Sequence, residues 1–449
     1  MEVLTLAIWK TSTLYNATFC TPDLESFCML GGLGLHVSGQ RLEPDRAVLE
    51  CRVPRDDGWC RGCGCEGRPI GTVTRWVTHV PLGWRPTQLL LRVRRYRCTG
   101  CGRIWRQDIT AAVAPGAKLS RHAVLWALKS LVIDRMSIAR IAGNLGVAWH
   151  TVNNAVLATG GELLLADPAR LEGVEVLGVD EHCWSHTGKG ERFVTVIIDL
   201  SPVRDGTGPA RLLDMIPGRS KAVFKAWLSV QTPAFRDGLS HVAMDGFAGF
   251  KTATVEELPQ AVTVIDPSHV LALAGDALDR CRQRVQQETR GHRGRAGDPL
   301  YGIRKVLRTG ADLLTDRQHA RLAGVFTPIE HTEVEATWGI YQRIIAAYRH
   351  LDTAAGKAQM QQVIDAISNG VPAALVEVKT LGRTLKRRAV DVLAYFEHPG
   401  TSNGPTEAIN GRLEHLRGTA LGFRNLTNYI TRALLDTGGF RPDLHRILR

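Results

Sequence analysis

Three carboxylates and two cysteine pairs carry the chemistry suggested by this sequence. Asp180 closes the short β-branched run VEVLGVD, Asp245 closes HVAMD, and Glu407 follows a stretch of loop formers, TSNGPT. Open α/β sheets place their reactive groups in the crevice beyond the strand ends, where Asp180 and Asp245 would stand. Carboxylates suit a hard cation. Mg²⁺ takes oxygen ligands, and a pair of such ions roughly 3.5–4 Å apart holds the attacking and leaving oxygens of an in-line phosphoryl transfer. The cysteines suit a softer ion: Cys60-Arg-Gly-Cys63 and Cys98-Thr-Gly-Cys101 supply four thiolates in two glycine-containing CxxC knuckles. Four sulfurs make the closed, structural kind of Zn²⁺ site, around which a small basic module folds without a large core. Redox CxxC pairs are the alternative, and Cys65 competes with Cys63 as a ligand because spacing does not choose between them.

Positioning Asp180 requires a hairpin. Residues 174–180 and 192–200 are apolar, β-branched runs joined by a linker with Gly188 and Gly190 as turn formers. Further strands are predicted at 211–216, 241–245 and 261–266, with helices at 221–229 and 250–258. Three successive strands followed by alternating α/β units is the order of an RNase-H-like sheet. In that order the strands ending at Asp180 and Asp245 are neighbours, so their carboxylates are expected to share a metal ion. Glu181 should point to the opposite face from Asp180, and His182 and His269 read as polar neighbours. Glu407 would lie in the first turn of a helix capped by Ser402 or Asn403, with Pro405 beside it and Ala408, Ile409, Leu413 and Leu416 as the apolar face.

The remaining elements flank this sheet. Residues 270–398 turn helical and basic, with helices predicted at 270–287, 301–314, 334–347 and 358–367, a length that reads as an inserted domain rather than a loop. Ahead of the sheet, residues 89–97 (LLLRVRRYR) alternate as a strand, and the two CxxC pairs are expected to cap two β-ribbons joined by the metal. Residues 137–155 have the form of a helix-turn-helix. Ile138, Ile141 and Ala142 face inward, Leu145-Gly146-Val147 makes the turn, and Val152 and Val156 face inward from the second helix. Trp149, His150, Asn153 and Asn154 are left pointing outward, where a second helix entering the major groove presents its early residues to base edges. In residues 1–35, Cys20 and Cys28 read as ordinary small apolar residues and the glycines as a loop.

Charge points to an anionic partner. The chain of 449 residues carries 56 Lys and Arg against 44 acids, a net +12, with arginine outnumbering lysine 45 to 11. Guanidinium forks match phosphate oxygens. Seven arginines and no acid lie between Arg85 and Arg106, including Arg92, Arg94 and Arg95; a second basic cluster, with Arg293 and Arg295, follows the first helix of the insertion. These are the expected sites of contact with a DNA backbone, a solvated charged face being the alternative. There is no run of ~18 apolar residues that would span a bilayer. The N-terminal stretch, interrupted by Lys10, lacks the features of a signal peptide. Ten cysteines without secretory features suggest thiols or metal ligands in a reducing compartment.

With these residues in view, the sequence resembles the DDE-type transposases of the bacterial insertion-sequence family called ISL-three. The resemblance rests on GVDEHCW around Asp180, MDGFAGF around Asp245, DPSHVLALAGDALDR from Asp266, EATWGIYQRI from Glu335 and TSNGPTEAINGRLEHLRGTALGFRNL around Glu407. It implies that Asp180, Asp245 and Glu407 are the catalytic acids, holding two Mg²⁺ or Mn²⁺ ions with Asp180 between them, and that Cys60, Cys63, Cys98 and Cys101 hold one structural Zn²⁺. It implies DNA partners, namely transposon terminal inverted repeats and target DNA, with self-association on DNA and a cytoplasmic, nucleoid-associated location. The motif departs from the family pattern at Ser268, where an aromatic residue is common, an exchange expected to loosen packing. The expected architecture is a multidomain α/β protein: an extension (1–35), a zinc ribbon (36–112), a helix-turn-helix (113–165), and an RNase-H-like catalytic core (170–269 and 399–449) interrupted by a helical insertion (270–398). The rival from another class is a DNA-binding regulator whose sheet domain has lost catalysis; retention of all three acids argues against it.

Overall fold

The computed structural model describes residues 22–54, 58–186 and 191–448, in two compact units. One unit comprises the chain up to Pro168 together with the chain from Thr419; the other is Ala169–Gly418. Lys10, Cys20, Gly188 and Gly190, singled out above, lie outside the described residues.

The first unit is built on a sheet of β1 (His36–Leu42), β2 (Ala47–Arg52), β3 (Gly67–Leu82), β4 (Arg85–Cys98) and β5 (Ile104–Arg106), in the order β1-β2-β4-β3 with β5 on the end of β4. β3 and β4 form one long hairpin closed at Leu82 and Arg85, where Gly83 takes the left-handed φ of 60° that the tight turn demands. Period-two alternation makes β4 a strand: Leu89, Leu91 and Val93 are buried, while Arg92 and Arg94 are exposed. Each CxxC pair caps its own antiparallel turn, as expected: Cys60–Cys63 lies between the bridged Trp59 and Glu66, and Cys98–Cys101 lies between β4 and β5, where Arg97 pairs with Ile104. Both turns sit at the open end of the β3–β4 hairpin, where Gly67 pairs with Cys98. Residues 28–35 are part of the fold: Cys28, Leu30, Leu33 and Leu35 pack into the core beneath this sheet.

Helices α1 (Arg121–Val132), α2 (Ile138–Leu145) and α3 (Trp149–Gly160) follow. Ser120 and Ser137 cap α1 and α2 by accepting from the Ala123 and Arg140 amides. Gly146, at φ 65°, ends α2 and turns the chain into α3. Ile141, Leu145, Val152 and Val156 form a shared core, which also takes in Leu435, Phe440 and Leu444 from the C-terminal part of the chain. The stretch 399–449 is thereby divided between the two units at Gly418.

The second unit contains a five-stranded sheet of β6 (Val176–Cys183), β7 (Phe193–Asp199), β8 (Arg211–Pro217), β9 (His241–Met244) and β10 (Val262–Ile265), in the order β10-β9-β6-β7-β8. β6, β9 and β10 run parallel, and β7 and β8 are antiparallel to their neighbours. These strands and the helices α4 (Lys221–Ser229) and α5 (Ala248–Glu257) follow the predicted order, with boundaries shifted by a few residues. Leu177 and Val179 of β6 pack with Phe224, Trp227 and Phe250 of these helices. The alternate residues Gly178, Asp180 and His182 consequently face the opposite side of the sheet.

After β10 come α6 (Pro267–Arg290), α7 (Thr332–Arg349), α8 (Thr353–Ser368), α9 (Val376–Arg387) and α10 (Ala389–Glu397), which share a core of Val270, Leu278, Ile344, Met360, Ile364, Leu381 and Phe396. The single helix expected at 301–314 is instead broken into Pro299–Gly302, Arg304–Leu307 and a 3₁₀ turn, Ala311–Leu313. Gly310, extended at φ −60° and ψ 136°, sets that turn off from the preceding helical turns. The chain returns to the sheet as α11 (Gly404–Thr419). Among the described residues no helix is long and apolar enough to cross a membrane.

Candidate active site

Register brings the first two acids together. β6 and β9 are parallel neighbours with Val179 opposite Met244, so Asp180 and Asp245 occupy successive, adjacent positions at the same edge of the sheet. Asp245 is held in a tight turn by accepting from the Phe247 amide at 2.8 Å. Glu407 arrives from α11, in its first turn, and its Oε1 accepts from the Ser268 hydroxyl at 3.1 Å. Ser268 therefore serves this site as a donor at the place where an aromatic residue was expected.

The seat of α11 on β6 is specific. Asn403 accepts from the Thr406 hydroxyl, donates through its side-chain amide to the Val179 carbonyl at 3.4 Å, and donates through its backbone N–H to Asp266. Asp266 also caps α6 by accepting from the Ser268 amide at 2.7 Å. The start of the insertion and the start of α11 are thus tied to one buried carboxylate. One turn beyond Glu407, Asn410 donates to Asp180 Oδ2 at 2.9 Å, and Glu414, a further turn on, stands 3.8 Å from the buried His182. Gly178 makes the close approach possible. A Cβ there would lie 2.7 Å from Thr406 Oγ1 and 2.8 Å from Asn403 Oδ1.

This setting disfavours a naked carboxylate at Asp180. Its pKa is pushed up to about 7, chiefly by burial, with the negative charges of Asp245, Glu181 and Glu407 adding to the shift against the opposing Glu181 amide hydrogen bond. Burial likewise lowers the pKa of His182. Glu181 points away, as expected, and pairs with Arg219 at 3.1 Å. His269 leans over the turn after Asp245, its Nε2 2.4 Å from where a Cβ on Gly246 would be. Asn410 and Gly178 were not singled out in the sequence, and Asn403 was expected as a helix cap rather than as a tie to β6. The i, i+3 spacing of Glu407 and Asn410 on one helix face was the available signal.

The four cysteines form a second, separate site. Cys60, Cys63, Cys98 and Cys101 are the one group of three or more His, Cys, Asp or Glu among the described residues whose ligand atoms all lie within 4.8 Å of each other. Sγ atoms are 3.6 Å apart for Cys60 and Cys101, and 3.3 Å for Cys63 and Cys98. A tetrahedron with 2.3 Å Zn–S bonds requires about 3.8 Å between sulfurs. The amides of Cys101 and Gly100 both donate to Cys98 Sγ at 3.3 Å and bring that thiol down to about 6. Geometry chooses between Cys63 and Cys65: Cys65 lies outside the quartet.

Other expected contact residues divide. Trp149, His150 and Asn154 are exposed on α3, but Asn153 is 3% exposed and does not point outward. It shares an i, i+3, i+7 arc with the buried Val156 and Gly160. Arg94, Arg293 and Arg295 are exposed and Arg95 is half-buried, whereas the Arg92 guanidinium is engaged by Glu50.

Comparison with known proteins adds to this geometry. A DDE-type family of the ISL3 class, described as Transposase, matches residues 177–433, a span containing Asp180, Asp245 and Glu407. The chain belongs to this transposase family. The transposase of insertion element IS1557 from Mycobacterium tuberculosis (strain H37Rv) is 26% identical over 320 residues, covering 66% of this chain and 68% of its own. The transposase of IS1001 from Bordetella parapertussis is 24% identical over 395 residues, covering 82% and 85%. DNA transposition, by cleavage and strand transfer, is accordingly the function of this transposase, and these similarities lend no support to a regulator without catalysis.

Proposed function

We propose that this transposase binds the terminal inverted repeats of its insertion sequence and cuts and joins DNA there, with Asp180, Asp245 and Glu407 as its catalytic carboxylates. The observation that carries this reading is their convergence: two acids at the adjacent ends of parallel strands, and a third on a helix fastened to the first strand by Asn403 and Asn410. The donor set fits a divalent cation, because burial and neighbouring charge make the Asp180 anion unfavourable until a positive charge offsets it. Two Mg²⁺ or Mn²⁺ ions held by these three residues would stabilise charge on the attacking and leaving oxygens. The protein's own contribution is placement. Asn410 fixes Asp180, the Phe247 amide fixes Asp245 and Ser268 fixes Glu407. In the reaction, water first cleaves a phosphodiester at the transposon end and leaves a 3′-hydroxyl. That oxygen then attacks a target phosphodiester and displaces the target's own 3′-oxygen.

The strand order and the helices between β10 and α11 support an RNase-H-like core with a helical insertion. Cys60, Cys63, Cys98 and Cys101 would hold one structural Zn²⁺. Helices α2 and α3 would act as a helix-turn-helix, with Trp149, His150 and Asn154 toward base edges and Arg94, Arg95, Arg293 and Arg295 toward phosphates. Pairing of two transposon ends calls for self-association on DNA. The test is alanine replacement of Asp180, Asp245 and Glu407 in turn: each variant should lose Mg²⁺-dependent end cleavage and keep end binding. A variant that still cuts at the normal rate refutes the assignment of that residue.

A further inference from the structure

Asp245 is flanked by an unusual grip. Arg388 stands at the break between α9 and α10, with φ −111° and ψ 15°, and is 6% exposed. Its Nη1 donates to the Gly246 carbonyl at 3.1 Å, its Nη2 lies 4.0 Å from Met244 Sδ, and its Nε donates to Asp391. One guanidinium therefore touches the residue before Asp245 and the residue after it. Asp391, 1% exposed, is the anchor, since it also accepts from Lys251 Nζ at 2.7 Å and Thr263 Oγ1 at 2.6 Å. His269 packs closely on Gly246, where an added Cβ would meet its ring.

We propose that Arg388 is a positioning residue by which the helical insertion fixes the carboxylate of Asp245 for cation binding. This rests on Asp245 being a metal carboxylate. Buried ion pairs are poor sources of stability, because desolvation offsets most of their attraction, so a role in holding one geometry accounts better for Arg388 than folding energy does. The planar fork matters: it reaches a carbonyl, a thioether and a carboxylate at once, which a single ammonium does not. Groups that orient a ligand from outside the coordination sphere typically affect metal affinity 10–100-fold. The insertion is in this view part of the catalytic machinery, since it braces the sheet edge from which Asp245 projects.

The test is direct Mn²⁺ binding to the zinc-loaded full chain, followed by calorimetry and by the electron paramagnetic resonance of free Mn²⁺, alongside the Mg²⁺ dependence of end cleavage. Arg388→Ala should weaken Mn²⁺ binding about tenfold or more and shift the Mg²⁺ requirement equally, with end-DNA binding retained. Arg388→Lys keeps a cation against Asp391, preserves the fold and should weaken Mn²⁺ binding several-fold. The control for loosened packing is Arg284→Ala, which breaks a different insertion network with Glu333 and Glu377. It should lower thermal stability and leave Mn²⁺ affinity unchanged. Asp245→Asn separates the two readings. If it weakens Mn²⁺ binding and neither Arg388 variant does, the positioning role is overturned and the active-site assignment stands. If Asp245→Asn leaves Mn²⁺ binding intact, both are overturned.

Discussion

Replacing Gly178 with alanine should separate α11, which carries Glu407, from β6, which carries Asp180. The added methyl would sit 2.7 Å from Thr406 Oγ1, 2.8 Å from Asn403 Oδ1 and 3.0 Å from Leu200 Cδ1. Comfortable contact begins near 3.5 Å, so β6 and α11 must part by roughly 0.7 Å or their side chains must leave their places. Neither Thr406 nor Asn403 moves freely: they are 0% and 4% exposed and bonded to each other. Overpacking of this kind costs about 1–3 kcal/mol, and loss of the Asn403 hydrogen bond to the Val179 carbonyl adds about 1 kcal/mol. A destabilisation of roughly 2–4 kcal/mol follows from the two together. Glu407 is the residue after Thr406, and a displacement on the order of 1 Å at a catalytic group costs about 100-fold in rate. Urea unfolding and end cleavage at saturating Mg²⁺ measure the two effects. Gly411→Ala is the matched control, because a methyl there meets nothing within 4 Å, and alanine should be neutral or stabilise the helix by up to about 1 kcal/mol. A Gly178→Ala protein as stable and as fast as the parent would refute the claim that close approach of α11 to β6 assembles the site.

Other consequences are equally direct. Cys63→Ser should abolish tight binding of one Zn²⁺ and unfold the open end of the β3–β4 hairpin, while Cys65→Ser should retain full zinc content by atomic absorption; equal loss in both would overturn the choice of Cys63. His79 should make the first unit acid-sensitive. Its Nε2 faces the Cys28 carbonyl at 3.1 Å, which only accepts, so the neutral ring is protonated on Nε2 and takes the Ser120 hydroxyl on Nδ1 at 2.8 Å. Burial lowers this imidazole to about 4. Between that value and the ordinary 6.5 the unfolded chain binds the extra proton, so stability is complete above about pH 6.5 and falls by roughly 3 kcal/mol as pH drops toward 4. His79→Gln should remove that part of the slope in urea titrations at pH 7.5, 5.5 and 4.5, and an unchanged slope would show that His79 does not carry it.

Local signals in the chain were enough for much of the architecture. Strand runs ending at Asp180 and Asp245, the CxxC knuckles and the Asn403-Gly404-Pro405 helix start depend on residue type, alternation and capping, which act over a few positions. That determined the order of the strands and helices along the second unit, the three candidate acids and the two CxxC pairs. What local rules did not reach was decided by packing. Asn153 lies on the buried arc of α3 because the helix is covered on that side. The helix expected at 301–314 is broken after Gly302 and again at Gly310, weak helix formers that the apolar pattern outweighed in the sequence. Cys63 rather than Cys65 joins the quartet through the turn geometry of the hairpin end. The contacts that hold the site cross 137 residues from Asp266 to Asn403, 142 from Gly246 to Arg388 and 230 from Asp180 to Asn410. No periodicity encodes such pairs. They exist because the insertion folds on its own core and returns the chain to β6, so the acids and the neighbouring of the Asp180 and Asp245 strands were legible in the sequence, and the seating of α11 and Arg388 against them was not.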